Sequence, residues 1–275
     1  MNVLLTGRNG QVGSELGTIL QPAVATDRAG LDLADPDAIR RLVREHKPDM
    51  IVNAAAYTAV DKAEEEPELA WRVNAVAPGV LAEEAKRLGA LLVHFSTDYI
   101  FDGAKQSPYV EDDAPHPLGV YGRTKLEGEA RIRACGCRHL IVRTAWVYGR
   151  GANFVRAILR QADKGAPLRV VDDQFGAPTW ARDIAEVSAR LAGKGAEGTF
   201  HVSAAGRASW YEVALEILRL TQRRVEVRAV STAQYGARAP RPRYSVLDNG
   251  KLRANGFAPM GEWRARLAAH LKSAA

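Results

Sequence analysis

Met1-Asn2-Val3-Leu4-Leu5-Thr6-Gly7-Arg8-Asn9-Gly10-Gln11-Val12-Gly13 opens the 275-residue chain. An apolar run that ends at a glycine reads as a buried parallel strand. Helix-compatible sequence continues from Gln11 to Leu20, so the glycines fall in a strand-to-helix turn. Ala23 to Asp27 then reads as a second strand closing on an acidic residue, about 20 positions past the first glycine. Strand, glycine turn, helix, strand and acid stand in the order that a nucleotide-binding βαβ unit requires. Unpaired N–H groups at the start of such a helix favour an anion, and a dinucleotide pyrophosphate is the natural one.

Outward from this unit, the first half alternates strand-like and helix-like segments. Pro36 to Lys47 predicts a helix, with Asp35 as N-cap and proline at the first helical position. Asp49 to Asn53 predicts a third strand, followed by the small residues Ala54-Ala55-Ala56. A long helix is expected over Glu68 to Leu88, interrupted by Pro78. Leu91 to Phe95 predicts a fourth strand, which hands Ser96, Thr97 and Asp98 to its carboxyl end, where ligands sit in open α/β sheets. A helix over Gly122 to Ala134 and a fifth strand over Leu140 to Arg143 follow. The fold class expected is α/β, a Rossmann-like doubly wound parallel sheet with right-handed crossovers.

After about residue 150 the pattern is less regular. Helices over Asn153 to Ala162 and Ala181 to Leu191 flank a polar, turn-rich loop, Asp172 to Thr179. A strand over Thr199 to Val202, a helix over Ser209 to Leu220 and a proline- and arginine-rich loop, Ala237 to Arg243, complete the reading. The organisation expected is a dinucleotide-binding domain over 1–149, to which later segments return, and a smaller, mainly substrate-binding lobe over 150–275. The cleft between them would hold the substrate.

Composition excludes several classes. The chain is 47% hydrophobic and 25% charged, with net charge +6 and no low-complexity tract. Its arginines are dispersed, with no basic run interleaved with aromatics, so no nucleic-acid partner is expected. A mild positive charge suits anionic small molecules equally well. No apolar run approaches bilayer length and no signal peptide is read, so no membrane partner and a cytoplasmic location are expected. Cys135 and Cys137 are one residue apart, a poor spacing for a disulfide, and no Cys/His cluster has metal-ligand spacing.

The chemistry is carried by Tyr121-Gly122-Arg123-Thr124-Lys125. A phenol and an ammonium four residues apart share one helix face, and a nearby cation would lower the phenol's pKa toward working pH. Such a phenol is a proton donor for carbonyl reduction. In a chain with eight tyrosines the bare pattern arises readily by chance, and its plain reading is a helix surface with a solvated lysine. Its place after the strand that delivers Ser96 to Asp98, in a chain that begins with a nucleotide-binding unit, points to an oxidoreductase.

These segments resemble the extended short-chain dehydrogenase/reductase superfamily and, within it, the dTDP-4-dehydrorhamnose reductase family. The likeness runs nearly end to end and is carried by Gly7 to Gly13, Asn53 to Glu64, Ser96 to Gly103, Tyr121 to Lys125, Arg143 to Tyr148 and Asp173 to Thr179. The resemblance implies that NADPH or NADH reduces the C4 ketone of a dTDP-4-dehydro-L-rhamnose substrate. By it, Tyr121 is the proton donor, Lys125 holds the nicotinamide ribose and depresses the tyrosine pKa, and Thr97 bonds near the same oxygen. Cofactor contacts would come from Gly7, Gly10, Gln11, Val12 and Gly13 at the pyrophosphate and Asp27 at the adenosine ribose. Asp32 and Leu33 would lie near the adenine, with Ala54, Ala55 and Tyr57 along the cofactor. Substrate contacts would come from Thr97, Asp98 and Trp146, the plainer alternative being that Trp146 plugs the core below the cleft. Arg241 and Arg243 either clamp a diphosphate or are plain loop charges.

Cofactor choice is balanced: Asp27 favours a free 2′-hydroxyl, whereas Arg28 and Arg8 could accept a 2′-phosphate. Glu15 is sometimes tied to metal binding at a family dimer contact, but an exposed helix glutamate explains it as well; no metal is assigned and Mg2+ stays open. A monomer or homodimer is expected. Two other functions share the motifs. A sugar-nucleotide epimerase or dehydratase would retain oxidised cofactor, and dehydratases commonly place Asp-Glu after the threonine, where this chain has Asp98-Tyr99. A non-catalytic dinucleotide-binding regulatory subunit would not need the Tyr121/Lys125/Thr97 set.

Overall fold

The computed structural model describes residues 1–258 and 260–273. Six parallel strands form the central sheet: β1 (Val3–Thr6), β2 (Val24–Thr26), β3 (Met50–Asn53), β4 (Leu91–Thr97), β5 (His139–Thr144) and β6 (Gly198–His201). Their order across the sheet is β6-β5-β4-β3-β1-β2. The chain passes from β1 outward to β2 and then crosses back to β3, so the winding reverses between β1 and β3. A crevice opens at the carboxyl ends of those two strands, where open α/β sheets place their ligands.

Side chains alternate across a strand, and here both faces are covered. Val3, Leu5, Val52, Val93 and Val142 pack on helices α1 (Gln11–Leu20) and, further along, Ala181–Gly193. Leu4, Ile51, Leu92 and Ile141 point the other way, onto α2 (Pro36–His46), α3 (Ala77–Leu88) and Ile132 of α4 (Val120–Cys135). That double burial is why the strands read as unbroken apolar runs. Asp35 caps α2 as expected, accepting from the N–H groups of Asp37 at 2.9 Å and Ala38 at 3.0 Å.

The expected break at Pro78 is replaced by a different device. Helix Pro67–Trp71 runs into a wide π turn, Arg72–Val76, and then into α3. A π turn relaxes the ladder just where the proline ring would crowd a carbonyl, so the chain keeps its helical course. The Asn74 carbonyl is turned against Gly128 of α4, where any Cβ would clash with it.

After residue 150 the chain serves two structures. Helix Ala181–Gly193 and β6 complete the sheet. Helices α5 (Phe154–Ala162), α7 (Trp210–Leu220) and α8 (Trp263–Ser273), with Ala181–Gly193 taking the label α6, build the remainder. Val155, Ile158, Val213, Ile217, Trp263 and Leu267 form a second core there, under the parallel strand pair Leu168–Val171 and Val227–Val230. Pro259, Ala274 and Ala275 of the expected lobe lie outside the described residues.

One buried ion pair braces α4 against the sheet. Arg143 of β5 donates to both carboxylate oxygens of Glu129, at 3.0 and 2.8 Å, and Arg133 adds a third bond at 3.0 Å. Burial alone would raise the Glu129 carboxyl, but the Arg143 bonds prevail and hold it below the ordinary range. The stabilisation is therefore present above the unfolded carboxylate pKa and lost as pH falls through the folded value. Glu129→Gln should cost about 3–5 kcal/mol at neutral pH by stranding the Arg143 charge. Denaturant unfolding measures it; a cost near zero would show that the pair does not brace the helix.

Candidate active site

The glycine turn is shaped by close approach. Gly7 has φ +79°, and a Cβ there would stand 2.7 Å from the Ala55 nitrogen and 2.8 Å from the Ala54 carbonyl carbon. A Cβ on Gly13 would collide with the Gly7 carbonyl oxygen, which accepts from the Gly10 N–H at 2.9 Å. Gly10 is the N-cap of α1 and no side chain caps that helix. The first-turn N–H groups at Gln11, Val12 and Gly13 are thus left for an anion. The Gln11 side chain is engaged elsewhere, donating to the Val147 carbonyl at 3.3 Å.

Beside the turn lies a cavity of ≈ 130 Å³ that brings together Gly7, Asp27, Asp32, Leu33, Ala55 and Tyr57 from the expected cofactor set. Arg28, Leu69 and Val73 also line it. Asp27 accepts from the backbone N–H groups of Gly30 at 3.2 Å and Ala29 at 3.0 Å, and from Asn9 at 2.8 Å. These bonds, the one from Gly30 foremost, hold its carboxyl below the usual range, so the charge is fixed at the cavity rim. The Tyr57 hydroxyl donates to Glu66 at 2.7 Å. A crevice with free N–H groups, glycines that a Cβ would fill, and an acid beside a base fits a dinucleotide.

Asn74, which the sequence reading did not single out, ties this segment to the Tyr121 helix. Its amide oxygen accepts from the Tyr57 N–H at 2.8 Å, and its NH2 donates to the Tyr57 carbonyl at 3.0 Å and to Thr124 of α4 at 3.2 Å. Its one sequence signal is an asparagine inside a predicted helix. Glu64 makes a second tie, accepting from the Val120 N–H at 2.7 Å at the start of α4. Gly122 permits the third: a Cβ there would clash with the Tyr99 carbonyl.

Tyr121 and Thr97 come together at the carboxyl end of β4. Thr97 donates to Asp98 at 3.1 Å and accepts from the Tyr99 N–H at 3.1 Å. The Tyr99 and Tyr121 rings meet edge to face, with centroids 5.6 Å apart. Burial pushes the Tyr121 hydroxyl up to about 12; its Thr97 hydrogen bond opposes this and the Asp98 charge adds to it. Asp98 itself is pushed up to about 6 by burial, against bonds from Ser245 and Thr97.

The expectation that Lys125 depresses the Tyr121 pKa is not met. Lys125 is 1% exposed and turns inward, donating to the Phe95 carbonyl at 2.6 Å and lying 3.1 Å from His94 Nε2. Burial draws its ammonium down to about 8. The helix spacing put both groups on one face, but the lysine finds its nearest acceptors beneath that face.

A larger cleft of ≈ 670 Å³ is lined by Asp61, Tyr99, Phe154, Gln174, Trp210, Tyr235 and Arg241 among others. Trp146 stacks on Trp210, with centroids 3.5 Å apart and planes 3° from parallel, and a Cβ on Gly176 would strike its indole. Its φ of +47° is a conformation bulky residues rarely hold, so the backbone here is bent to place the indole. Arg241 does form a bidentate pair, but with Asp61, at 3.1 and 2.8 Å, which occupies the fork expected for a diphosphate. Arg243 is exposed, and its guanidinium has no partner among the described residues. Glu15 is half-exposed on α1, and the described residues contain no cluster of three or more His, Cys, Asp or Glu placed to hold a metal. No described helix is long and apolar enough to cross a membrane.

A parallel sheet wound in this order, with a glycine turn at its reversal and a Tyr-x-x-x-Lys helix beside β4, has the architecture of the extended short-chain dehydrogenase/reductases. Residues 1–275 match the family described as RmlD substrate binding domain, and the chain belongs to that family. It is 43% identical, over 96% of both chains, to a dTDP-4-dehydrorhamnose reductase of Burkholderia thailandensis. It is 41% identical, over 97% of this chain and 93% of the other, to a probable dTDP-4,6-dihydroxy-2-methyloxan-3-one 4-ketoreductase of Streptomyces antibioticus. The Bacillus anthracis dTDP-4-dehydrorhamnose reductase, solved in complex with NADP, superposes with a TM-score of 0.95 at 36% identity, covering 99% of this chain and 100% of that one.

Proposed function

We propose that the chain reduces the C4 ketone of dTDP-4-dehydro-L-rhamnose to dTDP-L-rhamnose, using NADPH or NADH. The observation that carries this reading is the Tyr121/Thr97 pair at the end of β4. It stands beside the β1/β3 crevice on one side and, through Tyr99, reaches the larger cleft on the other. The curated relatives supply the substrate class, and the NADP-bound relative supports the cofactor. Residues 1–149 serve the dinucleotide and 150–275 mainly frame the sugar nucleotide.

When bound, the reduced nicotinamide supplies the hydride. Negative charge then develops on the ketone oxygen, and the Tyr121 phenol, fully protonated at neutral pH, delivers its proton there. A phenol held near 12 is a weak acid, yet an alkoxide is a stronger base still, so transfer runs downhill once hydride has arrived. Thr97 and Asp98 orient the phenol and the sugar, and Trp146 backs Trp210, which lines the cleft. Lys125 stays charged below about 8, and its ammonium, held inward by Phe95 and His94, contributes its charge to the ribose side from beneath. Gly7, Gly10, Gln11, Val12 and Gly13 cradle the pyrophosphate; Asp27, Asp32, Leu33, Ala54, Ala55 and Tyr57 line the rest. Arg243, with its fork open, is the better diphosphate partner, and Arg241 orders the loop through Asp61.

A second reading, a ketoreductase for a different dTDP-keto sugar, draws on the Streptomyces relative. The deciding assay follows NADPH oxidation with freshly prepared dTDP-4-dehydro-L-rhamnose. Turnover supports the proposal; no consumption above background, or a tightly held non-exchanging NAD, overturns it. Arg28 lines the adenosine end of the cavity, so Arg28→Ala should raise the KM for NADPH roughly tenfold or more, the scale of a lost charge-assisted hydrogen bond, and spare NADH. An equal change for both cofactors would show that Arg28 does not read a 2′-phosphate. A cytoplasmic location and a monomer or homodimer complete the proposal. Size-exclusion chromatography tests the second.

A further inference from the structure

Beneath Lys125, polar side chains cross the sheet where three neighbouring strands could carry apolar ones. Thr6, Asn53 and His94 occupy matched register positions on β1, β3 and β4, and each is 1% exposed. They are linked in sequence: Thr6 Oγ1 to Asn53 Oδ1 at 2.8 Å, Asn53 Nδ2 to His94 Nδ1 at 3.1 Å, and His94 Nε2 to Lys125 Nζ at 3.1 Å. Burying three such groups costs stability unless each is bonded, and here each is.

The chemistry of the donors fixes the ring. An ammonium only donates, so His94 Nε2 must accept and the ring proton sits on Nδ1. Nδ1–H then needs an acceptor, and the Asn53 amide provides one when its oxygen faces the ring and its NH2 faces the Thr6 hydroxyl. This turns the amide over from the placement in which the Thr6 hydroxyl donates to Asn53 Oδ1 and Asn53 Nδ2 faces Nδ1, and the Thr6 hydroxyl becomes the acceptor. Full burial, with the Lys125 charge adding to it, keeps His94 neutral by holding its pKa well below the ordinary value.

We propose that His94 is a positioning residue for the reductase reaction: a neutral imidazole, locked in one tautomer by Asn53 and Thr6, that keeps the Lys125 ammonium charged and aimed. The inference rests on the reading of Tyr121 and Lys125 as the working pair. The other charged groups nearby are accounted for. Glu129, one turn along α4, favours the Lys125 charge, and its own carboxylate is held by Arg143 of β5 and by Arg133. Asp98, at the end of β4, acts on Tyr121, and His201 of β6 lies by Arg143. His94 is the nitrogen acceptor that Lys125 has besides the Phe95 carbonyl.

The test is the pH profile of kcat/KM for the full-length enzyme and three variants. A leucine removes the acceptor; an asparagine reaches only the Nδ1 position; a glutamine reaches the Nε2 position. Without the acceptor a buried ammonium loses its proton more readily. His94→Leu and His94→Asn should move the basic limb about one pH unit lower, the scale of one charge-assisted hydrogen bond, and His94→Gln should return it toward the wild type. Thermal melts and NADPH titrations, read by fluorescence, confirm that each variant folds; if the leucine variant does not, the Asn/Gln pair decides. A limb unmoved in the Leu and Asn variants, or a Gln variant no nearer the wild type than Asn, overturns the role of His94. Full activity in Lys125→Met would instead overturn the working pair itself, and an inactive wild type the proposed function.

Discussion

Tyr121→Phe is expected to lower kcat by roughly 10²–10⁴-fold, the range of one lost general acid, and to leave NADPH affinity intact. The substitution deletes a single oxygen. The ring stays against Tyr99, whose edge-to-face contact does not involve the hydroxyl. Nothing in the dinucleotide cavity is touched, because Tyr121 is not among its lining residues. The loss should therefore fall on kcat, with little change in the cofactor Kd from fluorescence titration. A variant that keeps turnover close to wild type would remove Tyr121 as the donor and turn attention to Thr97.

Gly13→Ala should abolish tight dinucleotide binding. The new methyl would lie on the Gly7 carbonyl, and that oxygen is already committed to the Gly10 N–H at 2.9 Å. Backbone meets side chain here, so the start of α1 must move away from the crevice. Overpacking of this kind costs about 1–3 kcal/mol of stability. Displacing the N–H groups from an anion by even an ångström weakens function on the order of 10²-fold. Gly17→Ala, one turn later in α1, is the matched control: its Cβ would meet Leu5 at an ordinary 3.8 Å, and alanine improves helix propensity. Calorimetric titration with NADPH compares the two. Equal affinity in both variants would show that the turn does not hold the pyrophosphate.

The first half of the fold was legible because covered parallel strands leave long apolar runs and their turns need glycine. Helix α1 was read to the residue, and α2 to within one. The second half was harder to read for physical reasons. Strand Val227–Val230 and its partner Leu168–Val171 each span four residues and include arginine, and α8 mixes arginines with small residues around its circumference. In the candidate site, residue types and spacing singled out Tyr121, Lys125 and Thr97. They could not show where Lys125 points, which depends on acceptors from a strand 30 residues away. The Asp61–Arg241 pair spans 180 residues, and no local pattern signals it. Asn53 and His94 sit in runs whose apolar neighbours conceal them.

Asn74 and Glu64 have a consequence for engineering. The segment from Ala54 to Glu64 borders the dinucleotide cavity, and the same segment grips the helix that carries Tyr121. Substitutions made there to change the preferred dinucleotide will also alter turnover, so their effects will not add. Arg28 lies outside that segment and its side chain makes none of these ties. On the proposed reading, substitutions at Arg28 should shift cofactor choice and leave proton donation by Tyr121 unchanged.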